Sequence, residues 1–169
     1  MRVFEYGSGG STLYLAGRVR EVISVEHDKT YFNLVKDRLA SRGVNNCTYL
    51  FRPPVELPGG NIPPYSHTSF TSFTSRYKHM SFEDYVCSID QYPDETFDLV
   101  MIDGRSRASC AQRALPKIRT GGYLLLDNSE RPGYKDISDL LKICKSADYP
   151  GLTPSSTFLH NTTAWEIHR

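Results

Sequence analysis

The sequence predicts an α/β protein, a doubly wound and mostly parallel sheet with helices on both faces. Three observations predict it. Val3-Phe4-Glu5-Tyr6-Gly7-Ser8-Gly9-Gly10-Ser11-Thr12 reads as a strand, a glycine turn and the start of a helix, with a second strand and an acid, Glu26, completing the unit. From there to the C-terminus, short apolar runs alternate with helical patterns, as a parallel sheet requires. Finally, the polar residues best suited to chemistry stand where strands end: Glu5 and Gly7, then Glu26, Arg52, Asp103 and Asp127-Asn128. Ligands of such sheets bind at the carboxyl ends of the strands, where the strand order reverses.

The elements follow in order. Arg2–Tyr6 is the first strand and Ser11–Gly17 a short helix with Ser11 as a candidate N-cap. Val22–Glu26, nearly all apolar, is a strand buried on both faces. Asp28 caps a helix to about Ser41, with Tyr31, Leu34, Val35 and Leu39 on one stripe and Gly43 ending it. Thr48–Phe51 is the third strand. Residues 52–80 then break the rhythm with five prolines and Ser69-Phe70-Thr71-Ser72-Phe73-Thr74-Ser75, which predicts an inserted hairpin or lid. A short helix starts at Ser81 and ends before Tyr92-Pro93. Phe97–Asp103 is the fourth strand, Ala108–Ile118 a helix and Tyr123–Asp127 the fifth strand after Gly121-Gly122. Asp136–Ser146 reads as an amphipathic helix, and Thr157–Leu159 with Ala164–His168 as a closing hairpin.

Composition bounds the function. The 169 residues form one domain (1–169), and 39% hydrophobic with 23% charged residues describes a globular chain. A formal charge of +1 gives no electrostatic case for nucleic acid or a membrane surface as partner. No apolar run approaches the ~20 residues of a spanning helix. Cys47, Cys87, Cys110 and Cys144 are widely spaced and contain no C-x-x-C. They read as reduced thiols, and with no secretory signal after Met1-Arg2 the expected location is cytoplasmic.

The glycine turn narrows the ligand. A dinucleotide fingerprint begun at Gly7 requires glycine where Thr12 stands. Glu5, two residues before Gly7, would repel a pyrophosphate and attract an ammonium. At the end of the second strand, Glu26 is placed to accept hydrogen bonds from ribose hydroxyls. On Glu5-x-Gly7-x-Gly9, Glu26 and Phe97-Asp98-Leu99-Val100-Met101-Ile102-Asp103-Gly104, the chain resembles the class I S-adenosylmethionine-dependent methyltransferases. That resemblance implies a Rossmann-like sheet of seven strands in the order 3-2-1-4-5-7-6, with strand 7 antiparallel. It implies a cofactor site with Glu5, Gly7 and Gly9 for the methionine part, Glu26 for the ribose and His27 beside the adenine, with Ser8, Ser11 and Asp103 as further cofactor-binding residues.

The acceptor is less defined. Asp103, Asp127 and Asn128 also resemble the Mg²⁺ ligands of catechol-type O-methyltransferases, although Asp103-Gly104-Arg105-Ser106-Arg107 places two cations where that family has a further acid. Arg105, Arg107 and Arg131 are the alternative, a set of cations for an anionic acceptor. Asp103, or His67 and His79 from the insertion, are candidate bases for a hydroxyl acceptor. The expected function is methyl transfer to a small-molecule hydroxyl; the alternative is a non-catalytic cofactor-binding or accessory domain. The helices that this family places before its first strand are largely absent here. Bare apolar surface is therefore expected near strands 1 and 4, buried in a homodimer or by N-terminal helices of a longer natural chain.

Overall fold

The structure, a computed structural model, describes residues 1–58, 63–72, 74–152 and 158–168. Phe73 of the Ser-Phe-Thr repeat and Thr157 of the expected closing strand lie outside the described residues. The elements are β1 (Arg2–Tyr6), α1 (Gly10–Ala16), β2 (Glu21–Glu26), α2 (Lys29–Ser41), β3 (Cys47–Phe51), β4 (Val55–Glu56), β5 (Met80–Ser81), α3 (Glu83–Val86), β6 (Phe97–Ile102), α4 (Arg107–Ala114), β7 (Ile118–Asp127), α5 (Lys135–Leu140), β8 (Lys145–Leu152) and β9 (Leu159–Glu166). Seven strands form one sheet in the order β3-β2-β1-β6-β7-β9-β8. All pairs are parallel except those of β9, which runs antiparallel to both β7 and β8. This is the doubly wound, mostly parallel sheet that the sequence predicts, with its switch point at β1 between β2 and β6.

The strands nearest the switch point are sealed. Val3, Phe4 and Tyr6 of β1, Val22, Ile23 and Val25 of β2, and Val100 and Ile102 of β6 have no exposed surface. Phe4 and Tyr6 meet an aromatic wall: Phe97 packs edge-on at 5.4 Å from Phe4, and Tyr85 lies 5.5 Å from Tyr6, whose hydroxyl donates to Val86 O at 2.7 Å. Rings of this size replace the cover that a longer helix would give. The expectation of bare apolar surface at strands 1 and 4 is therefore corrected. Of the apolar residues in β1 and β6 only Leu99 and Met101 are half-buried, and the most exposed apolar residues lie instead at or just before the C-terminal hairpin: Ile143, Tyr149, Leu152, Phe158 and Leu159.

Two helices are shorter than their patterns predict. In the first, α4 ends at Ala114; Leu115-Pro116-Lys117 forms a 3-10 turn, because Pro116 supplies no N–H, and β7 starts at once at Ile118. In the second, α5 ends at Leu140, and residues 145 and 146 enter β8, paired with Glu166 and Trp165. There the gain from pairing a whole strand overrides a helical stripe of three or four residues. Pro150 is tolerated because β8 is the edge strand.

The insertion at 52–80 is anchored at both its base and its middle. Val55–Glu56 pairs antiparallel with Met80–Ser81 as a separate two-stranded ribbon. Tyr65 Oη accepts from Ala108 N–H at 3.0 Å, and Ser109 Oγ donates to Ser66 O at 3.2 Å, which fastens the segment to the start of α4. Its last turn, Ser75–Tyr77, reaches back over the ends of β2 and β6.

Candidate functional site

A cavity of about 530 Å³ opens at the carboxyl ends of β1, β2 and β6, the place that a doubly wound sheet reserves for ligands. Gly7 and Ser8 form its floor. Gly7 has φ +94°, and a Cβ there would stand 2.8 Å from the backbone of Asp103 and Gly104, so only glycine fits. Its N–H donates to Val25 O at 3.0 Å, and Asp103 N–H donates to Tyr6 O at 2.8 Å. The three strand ends are thus stitched together around one turn.

Glu26 lies at one side of that floor and is almost fully buried. Ser8 N–H and Oγ–H donate to its Oε2 at 3.2 and 2.8 Å, and the N–H groups of His27 and Asp28 donate to Oε1 at 2.7 and 2.8 Å. Burial alone would raise its pKa, but these donors together with the nearby His27 ring hold it down at about 2. His27 Nδ1 is 2.9 Å from Oε1 without the alignment of a hydrogen bond. The imidazole is no surface group. It packs edge-on against Tyr77, Phe82 and Tyr85 at 5.2, 5.5 and 5.9 Å.

Glu5 is placed differently from its expected role. It is fully buried beneath the glycine turn and does not line the cavity. Thr12 Oγ1 and Ser24 Oγ donate to its Oε2 at 2.5 and 2.6 Å, while Gly9 N–H donates to Thr12 Oγ1 at 2.9 Å. Burial raises the pKa of its carboxyl, against the pull of the hydroxyls. Glu5 therefore shapes the turn from below through Thr12, the residue whose presence argued against a dinucleotide. Gly9 and Ser11 also stand outside the cavity lining, whereas Gly7, Ser8, Glu26, His27 and Asp103 belong to it.

At the end of β6, Asp103 faces the cavity with 40% of its side chain exposed. Arg107, 4% exposed, sits between Asp103 and Asp127. Its Nη2 donates to Asp103 Oδ1 at 2.9 Å, its Nε to Gly104 O at 3.0 Å, and its Nη1 to Asp127 O, with Asp127 Oδ2 3.8 Å away. Burial pushes the Asp103 carboxyl above the usual carboxylate range; Arg107 pulls it back, and the charges of Asp127 and Glu5 add to the rise.

This corner corrects the expected Mg²⁺ site. The guanidinium fills the position between the two carboxylates and would repel a dication there. Asp127 Oδ1 also accepts from Thr162 Oγ1 at 3.0 Å, and Asn128 takes a left-handed conformation (φ 52°) in the turn after β7. Among the described residues no group of three or more His, Cys, Asp or Glu is arranged to hold a metal ion.

The expected histidine bases are corrected as well. His67 lines a separate cavity with Thr68, Phe70 and Arg113, and its Nδ1 is 3.6 Å from Asp136 Oδ2. His79 is exposed, and neither lines the Gly7 cavity. The insertion contributes other residues instead, Arg76 and Tyr77. Arg76 Nη2 reaches Asp28 Oδ2 at 3.5 Å, and the guanidinium carbons of Arg76 and Arg105 lie 5.2 and 5.6 Å from the Tyr77 ring centre. Sequence reading had no signal for Tyr77, since contact across 50 residues of chain follows from how the insertion folds back.

No protein-family profile matches the chain, and no curated protein matches it. Solved structures do. It is similar to the O-methyltransferase TomG from Streptomyces achromogenes, solved with SAM (TM-score 0.70, 15% identity, 99% of this chain and 73% of that one). It is similar to the O-methyltransferase from Bacillus cereus, solved with SAH (TM-score 0.69, 15% identity, 98% and 74%). The chain has the class I methyltransferase fold. The methyltransferase fold alone does not select an acceptor: an rRNA methylase from Streptococcus thermophilus is also similar (TM-score 0.61, 14% identity, 99% and 87%). No helix among the described residues is long and apolar enough to cross a membrane.

Proposed function

We propose that this protein binds S-adenosylmethionine in the Gly7 cavity and catalyses methyl transfer to a small molecule, most readily to a hydroxyl oxygen. One observation carries the reading. Glu26, at the end of β2, is kept ionised in a cavity whose floor admits no Cβ, which suits a ligand that offers two hydroxyls and lies against the backbone. The O-methyltransferases among the similar structures support the same reading.

S-adenosylmethionine would supply an electrophilic methyl group on a sulfonium, whose positive charge the acids around this cavity favour. Glu26 would accept the ribose hydroxyls, with Ser8 Oγ free to turn toward Tyr49 Oη, 2.6 Å away. Gly7 lets the backbone approach the ligand closely. Asp103, facing the cavity with a raised proton affinity, is the group suited to take the acceptor's hydroxyl proton. Arg107 fixes that carboxyl in place. Tyr77 and His27 wall the site with rings and limit water. Holding the reactants in line supplies the larger share of the acceleration, up to ~7–11 kcal/mol in well-oriented systems.

Calorimetric titration tests the reading. S-adenosylhomocysteine should bind with one site per chain and NAD should not bind. Methyl transfer from labelled cofactor to a panel of hydroxylated acceptors should follow and should be lost in Asp103→Asn with binding retained. Binding without transfer to any acceptor would make the protein a cofactor-binding domain, and comparable NAD binding would overturn the proposal.

A further inference from the structure

Two arginines stand two positions apart after β6 and have opposite circumstances. Arg107 is consumed within the protein by Asp103, Gly104 and Asp127. Arg105 lines the cavity, has no ion pair among the described residues, and carries a buried Nε with no hydrogen-bond partner. The nearby acids cannot supply that partner: Asp103 is held by Arg107, Asp28 caps α2 and meets Arg76, and Glu26 accepts four donors. An unsatisfied guanidinium donor in a cavity wall is stabilised by an anion supplied from outside. Arg76 lies within cation–π range of the same Tyr77 ring as Arg105, and it is itself exposed and meets Asp28 only at 3.5 Å, so it is free to turn inward.

We infer that Arg105, assisted by Arg76 across Tyr77, is the anchor for an anionic group, a carboxylate or phosphate, on the acceptor. The inference rests on the methyl-transfer reading for the word acceptor, and it adds the substrate class. The competing source of an anion is the carboxylate of the cofactor itself. Position favours the acceptor: Arg105 follows Asp103, the group proposed to take the acceptor's proton, and faces the insertion at the rim. Glu26 and the glycine turn lie deeper. A guanidinium fork matches carboxylate and phosphate geometry, which a lysine would not reproduce.

The test uses calorimetry on the full chain, with inorganic phosphate titrated into protein saturated with S-adenosylhomocysteine. Wild type should bind phosphate. Arg105→Gln should weaken that binding at least tenfold, and Arg105→Lys should restore it only in part. The same variants should bind S-adenosylhomocysteine and 5′-methylthioadenosine, which lacks the amino-acid end, within twofold of wild type, with melting temperatures unchanged. No phosphate binding by wild type, or equal binding by wild type and Arg105→Gln, overturns the inference. So does a loss of S-adenosylhomocysteine affinity in Arg105→Gln with 5′-methylthioadenosine unaffected, which would assign Arg105 to the cofactor's carboxylate. If S-adenosylhomocysteine fails to bind wild type, the methyl-transfer reading falls. The phosphate titration of the unloaded protein then still decides whether Arg105 holds an anion.

Discussion

The ends of β2 and β6 present the same kind of residue to one cavity and hold it in opposite ways. Glu26 is held by three backbone N–H groups and a hydroxyl with the His27 ring beside it, and together these outweigh burial and bring its pKa down to about 2. Asp103 is held by a guanidinium that it shares with Asp127, and although that cation lowers its proton affinity, burial and the neighbouring carboxylates Asp127 and Glu5 outweigh it and the affinity rises. Donors and a cation both favour the ionised form; what separates the two carboxyls is that at Glu26 they outweigh burial, whereas at Asp103 burial and two nearby acids prevail. The first arrangement suits permanent recognition of a hydroxyl-rich or cationic ligand, the second a group that exchanges a proton. Beneath both lies Glu5, buried with hydroxyls and without a cation, which serves the turn and not the ligand.

The most damaging way to break this contrast is to part the two strand ends. Gly7→Ala places a methyl group 2.8 Å from Asp103 and Gly104 backbone at a positive φ. The strain alone should cost about 1–3 kcal/mol. Displacement of β6 should also abolish measurable S-adenosylhomocysteine binding. Gly10→Ala, where nothing lies within 4 Å of the added methyl, is the control and should leave both melting temperature and affinity nearly unchanged.

Removing the cation tests the β6 side alone. Arg107→Met leaves Asp103 and Asp127 facing each other. Breaking a fully buried pair costs about 3–5 kcal/mol; with 40% of Asp103 exposed, roughly half of that is expected here. The loss, read by denaturant unfolding, should shrink as pH falls and the carboxyls take up protons. A loss independent of pH would mean that Arg107 acts by packing on Tyr134, 5.4 Å away, and not by charge.

On the β2 side, Glu26→Gln should weaken S-adenosylhomocysteine more than tenfold, since charge-assisted hydrogen bonds contribute ~1.5–3 kcal/mol each. Its pKa is depressed on folding, so the stability it contributes is fully present above the ordinary carboxylate value and is lost as pH falls toward about 2. The stability difference between wild type and Glu26→Gln should therefore narrow progressively between about pH 5 and about pH 2. Glu5 should behave with the opposite sign. Its raised pKa favours the folded state at low pH and opposes it as pH rises through the folded value. Glu5→Gln should accordingly cost less at neutral pH than Glu26→Gln. The smallest effect is an expected null: EDTA should change neither cofactor affinity nor turnover. A tenfold fall in turnover, restored by Mg²⁺, would overturn the account of the Asp103–Arg107–Asp127 corner.

By itself the sequence determined the sheet, the switch point and the acids around it. Short continuous apolar runs, the glycine turn and Asp28 as helix cap are local signals, and each reports the backbone that its own residues prefer. The tertiary structure alone decided what those acids face. Glu5 sinks below the turn because Thr12 and Ser24 lie within reach of it, 7 and 19 residues away. Arg107 occupies the place where Asp103 and Asp127 suggested a metal. Tyr77 and Arg76, in the inserted segment just after its Ser-Phe-Thr repeat, complete the cavity in place of His67 and His79. The helical stripe after Asp136 yields to β8 because β9 offers it a full ladder of partners. The deciding interactions include several that join residues far apart in the chain, such as Glu5 with Ser24, Arg107 with Asp127 and β8 with β9, where spacing and propensity carry no information.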